Sequence, residues 1–184
     1  LLCSYLKNKN IYTKTILQQI DTMTAIAGAF SNFATMPAQQ NETLNVVRIV
    51  KMALEIFNED YIQFSALEDE IIAKLDRTQL IRVITNLVKN AIQAIPEEQE
   101  NKLVFVTVFR QDNEVKIAVK DNGKGISKEN QERVFEPKFT TKSSGMGLGL
   151  AIIKNIIENY NGTITFETEP NVGTEFLVSF PINK

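Results

Sequence analysis

Apolar positions along the chain follow two different periods, and the change from one to the other divides it. From Ile16 the apolar or small residues fall at Ile20, Met23, Ala27, Phe30 and Ala34, in steps of four and three that set one stripe along a helix. Such a stripe predicts either a helix packed into a bundle or coiled coil, or one docked on its own domain. Upstream, Lys7-Asn8-Lys9-Asn10 is a polar break, so residues 1–6 are expected to be the stub of a preceding helix. Pro37 is expected to end the long helix, because proline supplies no amide to continue it.

From about residue 44 helix and strand signals alternate. Residues 44–57 have helical spacing, and 61–67 and 71–75 have the length and residue types of short strands. Asp76-Arg77-Thr78-Gln79 has the form of a capping box, in which the Asp side chain takes an amide at the helix start and the Gln reaches back. A long helix is predicted from there to about Ile95, stopped by Pro96. Residues 103–110 and 114–120 are strands; in the second, Val115, Ile117 and Val119 alternate with Lys116 and Lys120, so one face is buried and one is wet. Residues 127–136 are polar and helix-prone, and residues 135–149 hold a polar loop containing Gly and Ser. A helix over 147–161, closed by Asn161-Gly162, and strands over 163–168 and 174–180 complete an α+β pattern.

Composition narrows the chemistry. The chain has 184 residues, 43% hydrophobic and 23% charged, which suits one folded domain with a helical appendage. Lys plus Arg total 20 against 22 Asp plus Glu, a net charge of −2, so nucleic acid is not an expected partner. There is no histidine, which excludes a Ser/His/Asp triad, a Cys/His pair, a His-ligated zinc and a histidine base within the chain. The single cysteine, Cys3, allows no internal disulfide and suits a reducing compartment, with packing as its expected role. No apolar run approaches the roughly 20 residues that span a bilayer. With Leu1 first, the chain is expected to be a cytoplasmic segment of a longer protein, whether or not that protein is anchored in a membrane.

Three segments carry candidate chemistry. Asn86 and Asn90 lie four apart and therefore on one face of the predicted long helix, although Asn is a poor helix former. A carboxamide oxygen there suits Mg²⁺, which takes one or two protein ligands beside nucleotide phosphates; the alternative is a solvated polar stripe. Asp121-Asn122-Gly123-Lys124-Gly125 is either a tight reversal or a strand end whose glycines let a ligand approach. The polar, helix-prone stretch after it favours the second, and a carboxylate at that place can accept a hydrogen bond from an exocyclic amine such as that of adenine. Gly145-Met146-Gly147-Leu148-Gly149-Leu150 opens a helix whose free amides attract phosphate, but it fits neither the dinucleotide fingerprint nor a Walker A loop.

Taken in order, the Asn-bearing helix, the Asp121–Gly125 turn, Phe135-Glu136-Pro137-Lys138-Phe139 and the Gly145–Gly149 turn resemble the N box, first G box, F box and second G box of the sensor histidine kinase ATP-binding domain. The resemblance implies the Bergerat fold, an α+β two-layer sandwich, over residues 38–184. It extends backwards: Gln19-Ile20-Asp21 and Phe30 to Pro37 are similar to the second dimerisation helix of nitrogen-regulation type kinases, making residues 1–37 part of a dimerisation hairpin whose acceptor helix is mostly missing. Phe139-Thr140-Thr141-Lys142 and a short lid point to the same subgroup.

The same resemblance implies ATP and Mg²⁺ as ligands. It makes Asp121 the adenine reader, Asn90 the metal ligand and Asn86 a neighbour of the phosphates. Gly123, Gly125, Ile126 and Ala94 would border the nucleoside, with the Thr174 hydroxyl beside Asp121. Amides of Gly145, Gly147 and Gly149 would face the phosphates, Thr141, Met146 and Leu148 would line their site, and Lys142 would add a mobile charge. Gln93 departs from the basic residue that many relatives carry one turn after the metal Asn. Asn86 occupies the place where the family's ATPases and serine kinases keep a Glu base, which favours a kinase whose acceptor is a histidine. That histidine would lie outside this chain, on a dimerisation helix of a homodimeric protein, and would pass phosphate to a response regulator receiver domain. The competing expectations are an ATPase or serine kinase of the same fold, and a nucleotide-binding module without catalysis.

Overall fold

A computed structural model of the protein describes residues 40–140 and 147–182, together with Thr13. The chain divides into two units, Leu1–Ala38 and Gln39–Lys184, and the sheet with the helices packed on it belongs to the second. The stripe at Ile16–Ala34, the break at residues 7–10, Cys3 and Pro37 lie outside the described residues.

The elements run β1 (Glu42–Asn45), α1 (Val46–Leu54), β2 (Ile62–Ala66), β3 (Ile72–Leu75), α2 (Arg77–Ala94), β4 (Val104–Gln111), β5 (Glu114–Asp121), α3 (Lys128–Gln131), α4 (Gly149–Asn159), β6 (Thr163–Glu169) and β7 (Gly173–Pro181). Five strands form one sheet in the order β2-β4-β5-β7-β6, and β1 pairs with β3 in a separate antiparallel ladder. β2 runs parallel to β4; every other neighbouring pair in the sheet is antiparallel. Val104, Val106, Val108, Val115, Ile117, Val119, Phe176, Val178 and Phe180 are buried on the face where α2 and α4 pack, while Lys116, Lys120 and Glu175 sit on the other. Helices on one side of an antiparallel-rich sheet make the two-layer α+β sandwich that the family resemblance implies.

Each helix has a local reason for its ends. α2 starts at Asp76, whose Oδ1 accepts from the amides of Thr78 (2.8 Å) and Gln79 (3.1 Å), a cap that contributes about 1 kcal/mol. It stops at Ile95, which is extended because Pro96 disfavours helical geometry in the residue before it. Leu80, Val83, Ile84, Leu87, Val88 and Ala91 are its buried stripe. α4 buries Ala151, Ile152, Ile153, Ile156 and Ile157, and Gly162 then donates to the Ile157 carbonyl after Asn161 at φ 54°.

Three expectations change. The helix expected over 44–57 is preceded by a strand, and Asn45 ends that strand by capping α1 through the amides of Val47 and Arg48. The Gln79 side chain does not complete a capping box: the Asp76 amide donates instead to the Tyr160 hydroxyl (3.1 Å), and among the described residues Gln79 Oε1 is buried without a partner. Of residues 127–136 only α3 is helical, because no residue in it is buried and no apolar face holds a longer helix.

Candidate functional site

Asp121 is the last residue of β5 and is only 5% exposed. Its Oδ1 accepts from the Gly123 amide (2.9 Å), bending the chain away from the sheet instead of back into a hairpin. Gly123 then passes so close to the end of α2 that a β-carbon there would collide with the Ala94 carbonyl, and Lys124 donates to that same carbonyl (3.0 Å). Asn122 fastens the turn from behind: its side chain accepts from Leu103 (2.9 Å) and donates to the Asn101 carbonyl (2.6 Å).

Across the ladder, Thr174 is the register partner of Asp121 and is also buried. Its hydroxyl meets that of Thr168 (2.9 Å), and Thr168 Oγ1 accepts from the Ile126 amide (2.9 Å). Thr168 thus joins the first glycine turn to β7. Nothing in its local sequence marks it, since its partners stand 42 and 6 residues away. Gly173 is a second unforeseen contributor: at φ 141° it lies against the Asp121 carbonyl, where any side chain would collide. Gly125 (φ 66°) makes a similar approach to the Glu169 carbonyl.

Gly149 meets the other end of the asparagine stripe. Asn86, Asn90 and Ala94 recur every fourth residue on α2 and are all half-buried. A β-carbon on Gly149, the first residue of α4, would lie 3.2 Å from Asn86 Oδ1, while Asn86 Nδ2 donates to the Arg82 carbonyl (2.8 Å). The stripe therefore runs about 12 Å, from the start of α4 at Asn86 to the Gly123 turn at Ala94, with Asn90 between. Leu148 caps α4 with no side-chain acceptor for its first amides. Gly147 (φ 65°) accepts from the Lys138 amide (2.9 Å), closing the ends of the intervening segment. Phe135, three residues before Lys138, stands edge-on to Phe166 (5.9 Å) and Phe176 (6.4 Å), pairs contributing about 0.5–1.5 kcal/mol each. Arg133 stacks over Phe139 at 4.7 Å. Thr141, Lys142, Gly145 and Met146 lie outside the described residues.

Two glycine turns bridged by one polar helix stripe form a site suited to an elongated ligand with an amine at one end and anionic groups at the other. The model of the "Histidine kinase-, DNA gyrase B-, and HSP90-like ATPase" family matches residues 75–184. The chain belongs to that family. It is similar to "Sporulation kinase A" of Bacillus subtilis (strain 168), 35% identical over 152 residues that cover 78% of this chain and 25% of that protein. Among solved structures it is similar to the catalytic domain of histidine kinase ThkA, with 31% identity and a TM-score of 0.69 over 78% of this chain and 96% of that one. It is also similar to ThkA solved in complex with response regulator protein TrrA, with 25% identity and a TM-score of 0.75 over 94% of this chain and 51% of that one. The chain thus spans about a quarter of the curated relative's length, and its described part has the architecture of a histidine kinase ATP-binding catalytic domain.

Proposed function

We propose that this domain transfers the terminal phosphate of ATP to a histidine carried outside the 184 residues, and that the phosphohistidine then supplies the receiver domain of a response regulator. The observation that carries it is the stripe of α2, which joins the buried carboxylate turn at one end to the uncapped start of α4 at the other. Asp121 accepts from the adenine amine, beside the Thr174 hydroxyl, with Gly123, Gly125, Ile126 and Ala94 bordering the nucleoside. The amides of Gly145, Gly147 and Gly149 meet the phosphates, Lys142 adds positive charge, and Thr141, Met146 and Leu148 line that end.

The donor chemistry at Asn90 fits Mg²⁺: a half-buried neutral oxygen donor leaves the phosphates to balance the ion's charge. When bound, the ion would be held by Asn90 and would screen the phosphate oxygens. Asn86 holds no proton-accepting carboxylate, so it cannot activate water or a serine hydroxyl; its carboxamide is already turned between the Arg82 carbonyl and Gly149. An imidazole nitrogen needs no such base. It attacks phosphorus in line, the bond to the bridging oxygen breaks, and ADP leaves with the electron pair.

With no histidine in the chain, donor and acceptor lie on separate parts. Residues 1–37 would belong to a dimerisation hairpin and residues 38–184 to the catalytic domain, in a protein that works as a homodimer. ATP as phosphate source favours the cytoplasm, and no helix among the described residues is long and apolar enough to cross a membrane. Calorimetry tests the adenine assignment. Asp121→Asn should weaken ADP binding by about ten- to a hundredfold, the equivalent of about 1.5–3 kcal/mol. An unchanged affinity would contradict it.

A further inference from the structure

At the end of α2 and α4 away from the two glycine turns, a second polar cluster ties down the chain where it enters the domain. Asp76 uses Oδ1 for the α2 cap, and its other oxygen, Oδ2, accepts from the Gln40 amide at 2.9 Å. The Tyr160 hydroxyl accepts from the Asp76 amide (3.1 Å) and donates to Asn41 Oδ1 (2.9 Å). The Tyr160 ring stands edge-on to Phe180 at 5.9 Å, which fixes the hydroxyl's position from the core side. Glu42 continues the attachment through Arg77 (2.9 Å), and β1 then pairs with β3 from Glu42 opposite Leu75.

These contacts join three places far apart in sequence, and Gln40, Asn41 and Tyr160 lie at neither glycine turn. Both long helices run between the two clusters: α2 begins at Asp76 and ends at the first glycine turn, whereas α4 begins at the second glycine turn and ends beside Tyr160. We propose that Tyr160 and Asp76 form a latch that fixes the incoming chain at Gln40 and Asn41, making them positioning residues for transfer to a histidine on the same longer chain. This positioning role rests on the kinase function proposed for the domain. Opening the latch would free residues 40 and 41 up to the start of β1, lengthening the tether by roughly 7 Å and releasing its direction. Both changes dilute the productive arrangement of donor and acceptor without altering either one.

The test compares transfer within a longer chain that carries the acceptor histidine against transfer from this chain to a separate histidine-bearing fragment. Tyr160→Phe keeps the ring on Phe180 and removes only the hydroxyl. Asn41→Ala breaks the same contact from the exposed side and leaves the domain core intact. Both variants should bind ADP within about twofold of the unaltered chain and transfer normally to the separate fragment. Transfer within one chain should slow by about threefold or more, a loss of effective concentration. Amide exchange at Gln40 and Asn41 should quicken in both. Equal effects on the two transfer formats, no effect on either, a faster transfer within one chain, or unchanged exchange at Gln40 would overturn the latch. If the unaltered chain labels no histidine in either format, the kinase function itself fails, and the positioning role with it.

Discussion

The roles proposed for Asp121 and Asn90 differ, and single substitutions separate them. Asp121 is buried with one oxygen committed to the Gly123 amide, and as the proposed adenine acceptor it should contribute to nucleotide affinity equally with and without metal. Asn90→Ala should instead weaken Mg²⁺-ATP binding by about tenfold, one hydrogen-bond equivalent or slightly more, while sparing metal-free ADP. Equal losses with and without Mg²⁺ in calorimetry would remove Asn90 from the metal. Tyr160 offers a second check by pH. Burial first, and then the Asp76 carboxylate, raise its pKa above the ordinary tyrosine range, against the opposing pull of the Asp76 amide. A raised folded-state value means its contribution is complete below the unfolded pKa of about 10 and is lost as pH climbs through the folded one. Subtracting the ultraviolet titration of Tyr160→Phe from that of the unaltered chain should leave one tyrosine step above that of a free tyrosine; a difference step at the ordinary value would show that the hydroxyl is not held. Asp121 stands out in the sequence because it ends the apolar alternation of Val115, Ile117 and Val119, and the asparagine pair because Asn is a poor helix former repeated four residues apart within one helix. Tyr160 does not, because Asp76 and Asn41 stand 84 and 119 residues from it.

Among the elements, the glycines decide how closely strands and helix ends approach. Gly173→Ala puts a β-carbon onto the Asp121 carbonyl at a backbone angle that L residues avoid, so β5 and β7 must separate at their functional end. The expected cost is about 1–3 kcal/mol in denaturant unfolding, with weaker nucleotide binding. Gly149→Ala meets only the tip of the Asn86 side chain at 3.2 Å, and helical alanine is favoured over glycine by up to about 1 kcal/mol, so stability should change little. Equal destabilisation by both would show that close backbone approach at Gly173 is not what holds the site. Strand and helix positions were legible because their apolar periods are long. β1 was hidden because Leu44 fits a helical stripe as well as a strand, and Asn45 decides between them through its cap on α1. The box Asp76 opens was half legible: the cap forms, but a tyrosine from the far end of α4 takes the amide that Gln79 would have filled.

At the largest scale, the sandwich places the Gly123 turn and the start of α4 at one end of α2 and α4, and the contacts of Gln40 and Asn41 at the other. The order of the Asn helix, the two glycine turns and the Phe135–Phe139 segment was enough to anticipate this fold, through their resemblance to the family's motifs. What stayed hidden was how the chain is fastened as it enters, because that depends on contacts made only after folding. The most direct measurement follows ATP labelled on its terminal phosphate, with this chain alone and with a separate fragment bearing an acceptor histidine. Alone, the chain should bind ATP, take no label and release no appreciable phosphate; with the fragment, acid-labile label should appear on the fragment's histidine and, at limiting ATP, fall about ten- to a hundredfold with Asp121→Asn. Label on this chain, or steady phosphate release abolished by Asn90→Ala, would contradict a histidine kinase and point to an ATPase or serine kinase.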